Sequence, residues 1–157
     1  MAALLSQFAV FTYHEDFYIA LVPESPSVEK GGIRPATLKD LPFIEKTYPR
    51  SGHEQLLSRI NQKQLWVMAN GQEIKGCAGI HKDGSLGFEY VAPNARRQHI
   101  ASKMQAFVAN KMYQNNYLPY VMVSAENSVA ESLQTKLGAA FAKKLFYFYA
   151  KGPYELE

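Results

Sequence analysis

The dipeptide Asn70-Gly71, set between the apolar segments 65–69 and 74–81, constrains this chain more than any other feature. A two-residue type I′ turn needs a positive φ at both central positions, which Asn and Gly tolerate, so Asn-Gly joins neighbouring antiparallel strands. Lys82-Asp83-Gly84 predicts a second tight turn, followed by a third strand over 85–92. A three-stranded antiparallel meander is therefore expected near the middle of the chain.

Elements on either side of the meander change period. Thr37 stands three residues before Asp40, the spacing of a helix cap whose acid returns the bond, and Leu38, Leu41 and Ile44 follow at helical intervals. A second helix is predicted over 53–62, with Leu56, Leu57 and Ile60 on one face. Beyond the meander, Ile100, Met104, Phe107, Val108 and Met112 form one helical face that runs out near Asn115-Asn116. A Val- and Tyr-rich strand over 119–125 comes next. Asn127 then caps a last helix carrying Val129, Ala130, Leu133 and Leu137, which Gly138 stops. An aromatic strand over 141–150 completes the pattern. Helices, a meander, then helix, strand, helix and strand define an α+β layered domain with a mixed sheet.

Residues 1–30 read as an extension. Two short strands, 8–13 and 17–22, flank His14-Glu15-Asp16 as a hairpin, and the Pro- and Gly-containing stretch from Pro23 to Gly32 reads as a linker. The main domain is expected over 31–157. An added strand invites pairing between chains, so a homodimer is an expectation.

Composition narrows the function classes. Hydrophobic residues are 47% and charged residues 20% of 157, the profile of a water-soluble globular domain. The net charge of +3 and scattered lysines give no basic stripe, so nucleic-acid binding through Arg96, Arg97, Lys103 and Lys111 is disfavoured. No segment has the apolar length of a membrane span, and residues 1–10 lack the basic leader of a signal peptide. Cys77 is the sole cysteine, which fits a reducing cytoplasm, and its apolar neighbours mark it as a core thiol. No metal site is expected.

The strand-to-helix junction from Val91 to Ala101 carries the chemistry. A helix N-terminus exposes unpaired N–H groups and a partial positive charge, and Arg96 and Arg97 at its mouth add to its attraction for phosphate. A solvated helix start with two basic residues is the plainer alternative.

This run resembles the acyl-CoA pyrophosphate loop of GCN5-related N-acetyltransferases (GNAT), Arg/Gln-x-x-Gly-x-Gly/Ala, with Arg96 first, Ala101 last and Val91-x-Pro93 before them. Asn127-x-x-Ala130-x-x-Leu133 followed by Lys136-Leu137-Gly138 is similar to the family's other signature. The wording around it looks closest to the FR47-like branch, related to glycine N-acyltransferases. The resemblance spans about residues 33–150. It implies a three-layer fold with a central mixed, mostly antiparallel sheet flanked by helices.

It further implies acetyl-CoA or another acyl-CoA as cofactor, held by Val91, Arg96, Arg97, Gln98, His99, Ile100, Ala101, Ser102, Asn127 and Lys136. The implied reaction is direct attack of a primary amine on the thioester. Glu89 is the candidate base, the backbone N–H near Tyr90 and Val91 polarises the carbonyl, and Ser124, Glu126 and His81 stand behind Glu89. Strict alternation places Ser85, Gly87, Glu89 and Val91 on one face of that strand.

Two positions depart from the family pattern. His99 replaces the first loop glycine, which is compatible with binding if the backbone there is right-handed helical. Gln134 replaces a tyrosine that protonates the departing thiolate. These departures support an alternative, a degenerate CoA-holding or protein-interaction module without catalysis. Trp66 and Phe146–Tyr149 are candidates for an acceptor pocket, although aromatic stripes in strands more often belong to a core.

Overall fold

The computed structural model describes residues 10–25, 31–49 and 51–151. Seven strands form one sheet in the order β2-β3-β4-β5-β6-β1-β7, where β1 is Val10–Leu21, β2 Ile33–Pro35, β3 Leu65–Asn70, β4 Glu73–Ile80, β5 Leu86–Val91, β6 Tyr120–Ser124 and β7 Ala140–Lys151. The pair β5–β6 is parallel; the other neighbours are antiparallel. Four α-helices cover the two faces: α1 Leu41–Thr47, α2 His53–Asn61, α3 Ile100–Gln114 and α4 Ser128–Lys136. The α+β, three-layer arrangement and the meander β3–β4–β5 match the sequence expectation.

Local chemistry fixes most boundaries. Asp40 Oδ2 accepts from Thr37 N–H at 2.7 Å and from the Thr37 hydroxyl at 2.8 Å, closing the turn that opens α1. Arg34 grips the same carboxylate through both terminal nitrogens at 2.7 and 2.8 Å. Asn127 Oδ1 accepts from Ala130 N–H at 3.0 Å at the start of α4, and Gly138, at φ 73°, ends the turn that follows that helix.

Alternation along β3 divides the interior. Trp66 and Met68 face the core under α3, with Ala78, Leu86, Met104, Phe107 and Val121. Leu65 and Val67 face the core under α1 and α2, with Ile44, Leu56, Cys77 and Phe88.

Two expectations are corrected. The N-terminal segment is one 12-residue strand that passes through His14-Glu15-Asp16 without turning, so no hairpin forms there. It lies inside the sheet between β6 and β7. The part of the expected hairpin before Val10 lies outside the described residues, as does half of the linker, residues 26–30.

The second correction concerns β5. Between the pairs Cys77↔Tyr90 and Gly79↔Gly87, β4 advances by two residues and β5 by three. Phe88 takes up the extra length at φ 53°, a bulge with its residue in the left-handed region. Leu86 and Phe88 consequently enter opposite cores, and simple alternation fails across Phe88.

Candidate active site

Parallel strands β5 and β6 are paired only at Leu86↔Val121. The Tyr120 hydroxyl donates to Asp83 O at 2.8 Å and ties the turn before β5 to the start of β6. Past this tie the strands open into a cleft of 1270 Å³ between their C-terminal halves. An open wedge of unpaired backbone in a sheet is where an extended ligand can take the place of a strand neighbour.

One mouth of the cleft is the loop between β5 and α3. Pro93–Ala95 makes a single 3₁₀ turn, Arg96 is extended, and both Arg97 (φ 62°) and His99 (φ 59°) are left-handed. His99 is therefore the left-handed N-cap of α3, which corrects the right-handed backbone that binding was expected to need. Holding a non-glycine residue there costs about 1–2 kcal/mol. The loop keeps a glycine-like path although a histidine occupies it, and the exposed imidazole does not fill the backbone's place.

Val91, Arg96, Arg97, His99, Ile100, Ala101, Ser102, Asn127 and Lys136 all border the cleft. They do so differently. Arg96, Arg97 and His99 are exposed, Ile100 is buried in the core, and the Asn127 carbonyl is committed to its helix cap. Gln98 is the exception: it does not border the cleft but lines a smaller hollow with Lys75 and Lys103, and its amide donates to Asn94 O at 3.4 Å.

The inner wall is β5. Ala92 N–H donates to Lys75 O on β4 at 2.9 Å, so alternation turns the Val91 N–H the other way, toward the cleft. The Val91 carbonyl accepts from Arg96 Nε at 3.4 Å on that side. Gly76 permits this packing, because a Cβ there would lie 2.7 Å from Tyr90 O.

Glu89, just past the bulge, borders the cleft with its Oε1 sealed from solvent and without a hydrogen-bond partner. Burial pushes its carboxyl up to about 7. Among the described residues it forms no ion pair with Arg96 or Arg97. Cys77 donates its thiol to Phe88 O at 3.2 Å, and burial pushes that thiol up to about 12, so it stays protonated. Tyr90 borders the cleft with its ring edge-on to Phe43 at 5.9 Å.

Other candidates fall elsewhere. Trp66 is 7% exposed and packs edge-on against Phe107 at 6.0 Å, which makes it core. The side chains of Phe146–Tyr149 lie outside the described residues. Ser124, the last residue of β6, and Glu126 do not border the cleft, the Glu126 N–H donating to Ser124 Oγ at 3.4 Å. His81 does reach the cleft. Gln134 is 1% exposed and bonded to Gln105 of α3.

Tyr48, at the end of α1, borders the cleft and was not a sequence candidate, because nothing local to it signals contact with β5. Among the described residues no group of three potential metal ligands occurs, and no helix is long and apolar enough to cross a membrane.

A split parallel pair with a basic, left-handed loop at one end defines the class of protein, and sequence comparison agrees. The family model for the acetyltransferase (GNAT) domain matches residues 29–145. The chain belongs to that family.

Solved structures share the fold. A protein from Drosophila superposes with a TM-score of 0.77 at 12% identity, over 93% of this chain and 54% of its own. An acetyltransferase of the GNAT family from Colwellia psychrerythraea gives 0.70 at 17% identity, over 96% and 60%. A predicted acetyltransferase from Clostridium acetobutylicum, crystallised with acetyl-CoA, gives 0.55 at 15%, over 68% and 87%. The chain thus spans little more than half the length of the first two. Comparison with curated proteins finds no match.

Proposed function

We propose that this chain is an N-acyltransferase that moves an acetyl group from acetyl-CoA to a primary amine. The observation that carries the reading is a single wall, β5, with the Arg96–His99 loop at its end and the unpartnered Glu89 carboxylate part-way along it. The cleft also fits the group: it has 1270 Å³ of room, opens between two strands, and is bordered at one mouth by the N-terminus of α3 and two arginines.

In this reading the loop N–H groups, Arg96 and Arg97 hold the pyrophosphate. Acetyl-CoA supplies the activated acyl carbon. The Val91 N–H faces the carbonyl oxygen as charge builds on it. Glu89, titrating near neutrality, accepts the proton lost by the amine nitrogen, directly or through one water, as the new N–C bond forms and the C–S bond breaks. The proton needed by the departing thiolate comes from solvent, because the Gln134 amide carries none to give. Glu89 and Tyr90 with Val91 are the catalytic wall; Arg96, Arg97, His99, Ala101, Ser102 and Lys136 are the cofactor mouth.

We place the chain in the FR47-like branch on its Asn127 to Gly138 wording, and assign it a small-molecule amine substrate and a cytoplasmic site of action. The homodimer expected from an exposed added strand is not carried forward, because β1 is paired on both sides. No nucleic-acid or membrane partner belongs to the proposal.

One observation favours the second reading, a CoA-holding module without turnover: Gln134 is locked into a side-chain pair and carries no acidic proton. Calorimetry with acetyl-CoA, followed by amine-dependent release of CoA thiol, separates the two. Micromolar binding that Arg96→Ala weakens about tenfold, with turnover that Glu89→Gln abolishes, is the expected result. Binding without turnover of any amine selects the module. Absence of binding sinks both.

A further inference from the structure

The part of the cleft wall beside the end of α1 is built from rings. His81 packs against Phe88 at 4.1 Å between centroids, and Tyr48 lies 5.4 Å from Phe88 and 6.4 Å from His81. Phe88 is fully buried behind them, while Tyr48 and His81 are half-buried and border the cleft. The arrangement depends on two local devices. The bulge turns Phe88 into this core rather than the one that holds Leu86. Gly87 leaves room for the imidazole, since a Cβ there would fall 1.9 Å from His81 Nε2.

Charge at this end is sparse. Glu89 is the carboxylate that borders the cleft, and Asp83 nearby is engaged by the Ser85 N–H at 2.9 Å and hydroxyl at 2.7 Å. Burial holds His81 below the usual imidazole value, with Asp83 opposing and the Arg59 guanidinium adding to the effect, so the ring is neutral at neutral pH. Arg59 thus brings positive charge to the same side. A ligand with several ammonium groups needs several carboxylates to replace its hydration, and the lining of the cleft offers one, Glu89, beside the guanidinium groups of Arg96 and Arg97.

We infer that the acceptor is a small monoamine whose flat, apolar group lies on Tyr48 and His81 while its nitrogen reaches Glu89, and that polycationic acceptors are excluded. This rests on the acetyltransfer reading above and adds the substrate class to it. Tyr48 and His81 are then specificity-determining residues; the amine nitrogen and Glu89 carry the chemistry.

The test measures acetyl-CoA binding by calorimetry, then kcat/KM for phenethylamine, ethylamine and spermidine on the full chain. The expected order is phenethylamine first, by about tenfold over ethylamine, the scale of one or two ring contacts, with spermidine lowest. Tyr48→Ala and His81→Ala should erase the gap between phenethylamine and ethylamine, whereas His81→Phe keeps it. Equal rates for the first two amines, a preference for spermidine, or acetyl-CoA binding with no turnover of phenethylamine each overturn the inference, and the wild-type panel decides this even if a variant fails to fold. Failure to bind acetyl-CoA overturns the acetyltransfer reading itself and this inference with it.

Discussion

Gln105 and Gln134 meet as a reciprocal amide pair between α3 and α4, the Nε2 of each donating to the Oε1 of the other at 2.6 and 3.1 Å. Both side chains are essentially unexposed. Each side-chain amide is thus hydrogen-bonded to the other. Gln134→Leu leaves the Gln105 amide stranded and should cost about 1–3 kcal/mol. The double variant Gln105→Leu/Gln134→Leu removes both polar groups and should recover much of that loss. Urea melts of the single and double variants form the cycle that checks it.

Glu89 sets a pH dependence with a defined sign. Its carboxyl titrates near 7 when folded against 4.5 ordinarily, because burial disfavours the charge. The folded state therefore holds this proton more tightly than the unfolded chain does. That contribution is full below about 4.5 and is lost as pH rises through about 7, at most about 3 kcal/mol. Glu89→Gln should flatten the decline in thermal stability between pH 5 and pH 8. In the same window the acetyl-transfer rate of the wild type should climb, since only the carboxylate accepts a proton, and the variant should lose about 100-fold or more in kcat.

His99 occupies backbone suited to glycine, at φ 59°. His99→Gly should raise stability by about 1 kcal/mol and leave acetyl-CoA binding intact or tighter. His99→Val, β-branched in the same region, should destabilise and weaken binding. Melting temperature and calorimetry on the two variants read both effects.

Asp40 is nearly buried, and the bidentate Arg34 pair, with the Thr37 bonds, holds its carboxyl at about 2. A depressed acid stabilises above its unfolded value of 3.8, and the contribution disappears as pH falls toward 2. Asp40→Asn should cost about 1–2 kcal/mol at pH 7, after allowance for the exposed side of Arg34, and much less at pH 2.5. Denaturant midpoints at the two pH values measure it.

Much of the architecture was legible locally. Asn70-Gly71 and Lys82-Asp83-Gly84 placed the meander, Thr37 and Asn127 placed two helix starts, and the Ile100–Met112 stripe placed α3 within a residue or two. The loop from Arg96 to Ser102 was legible as a stretch bordering the cleft because its signature is contiguous, although Gln98 lines a smaller hollow instead. Tyr48 and Gln105 were not legible. Each earns its position from a partner far along the chain (Phe88 for the first, Gln134 for the second), and no spacing rule links them.

The sequence by itself determined most of the strands and helices, where the meander turns fall, and which basic strand-to-helix loop borders the cleft, because those depend on backbone preferences and side-chain period within a few residues. Tertiary structure alone decided three things. It threaded Val10–Leu21 between β6 and β7 instead of folding it on itself, since a strand inside a sheet satisfies both of its edges where it is paired. It placed the bulge at Phe88, because β4 and β5 must pair around one extra residue. And it set Glu89 on the cleft wall just past that bulge with Oε1 shut off from solvent, where loss of water, a property of the packed surroundings and not of the residue, pushes its carboxyl up to about 7.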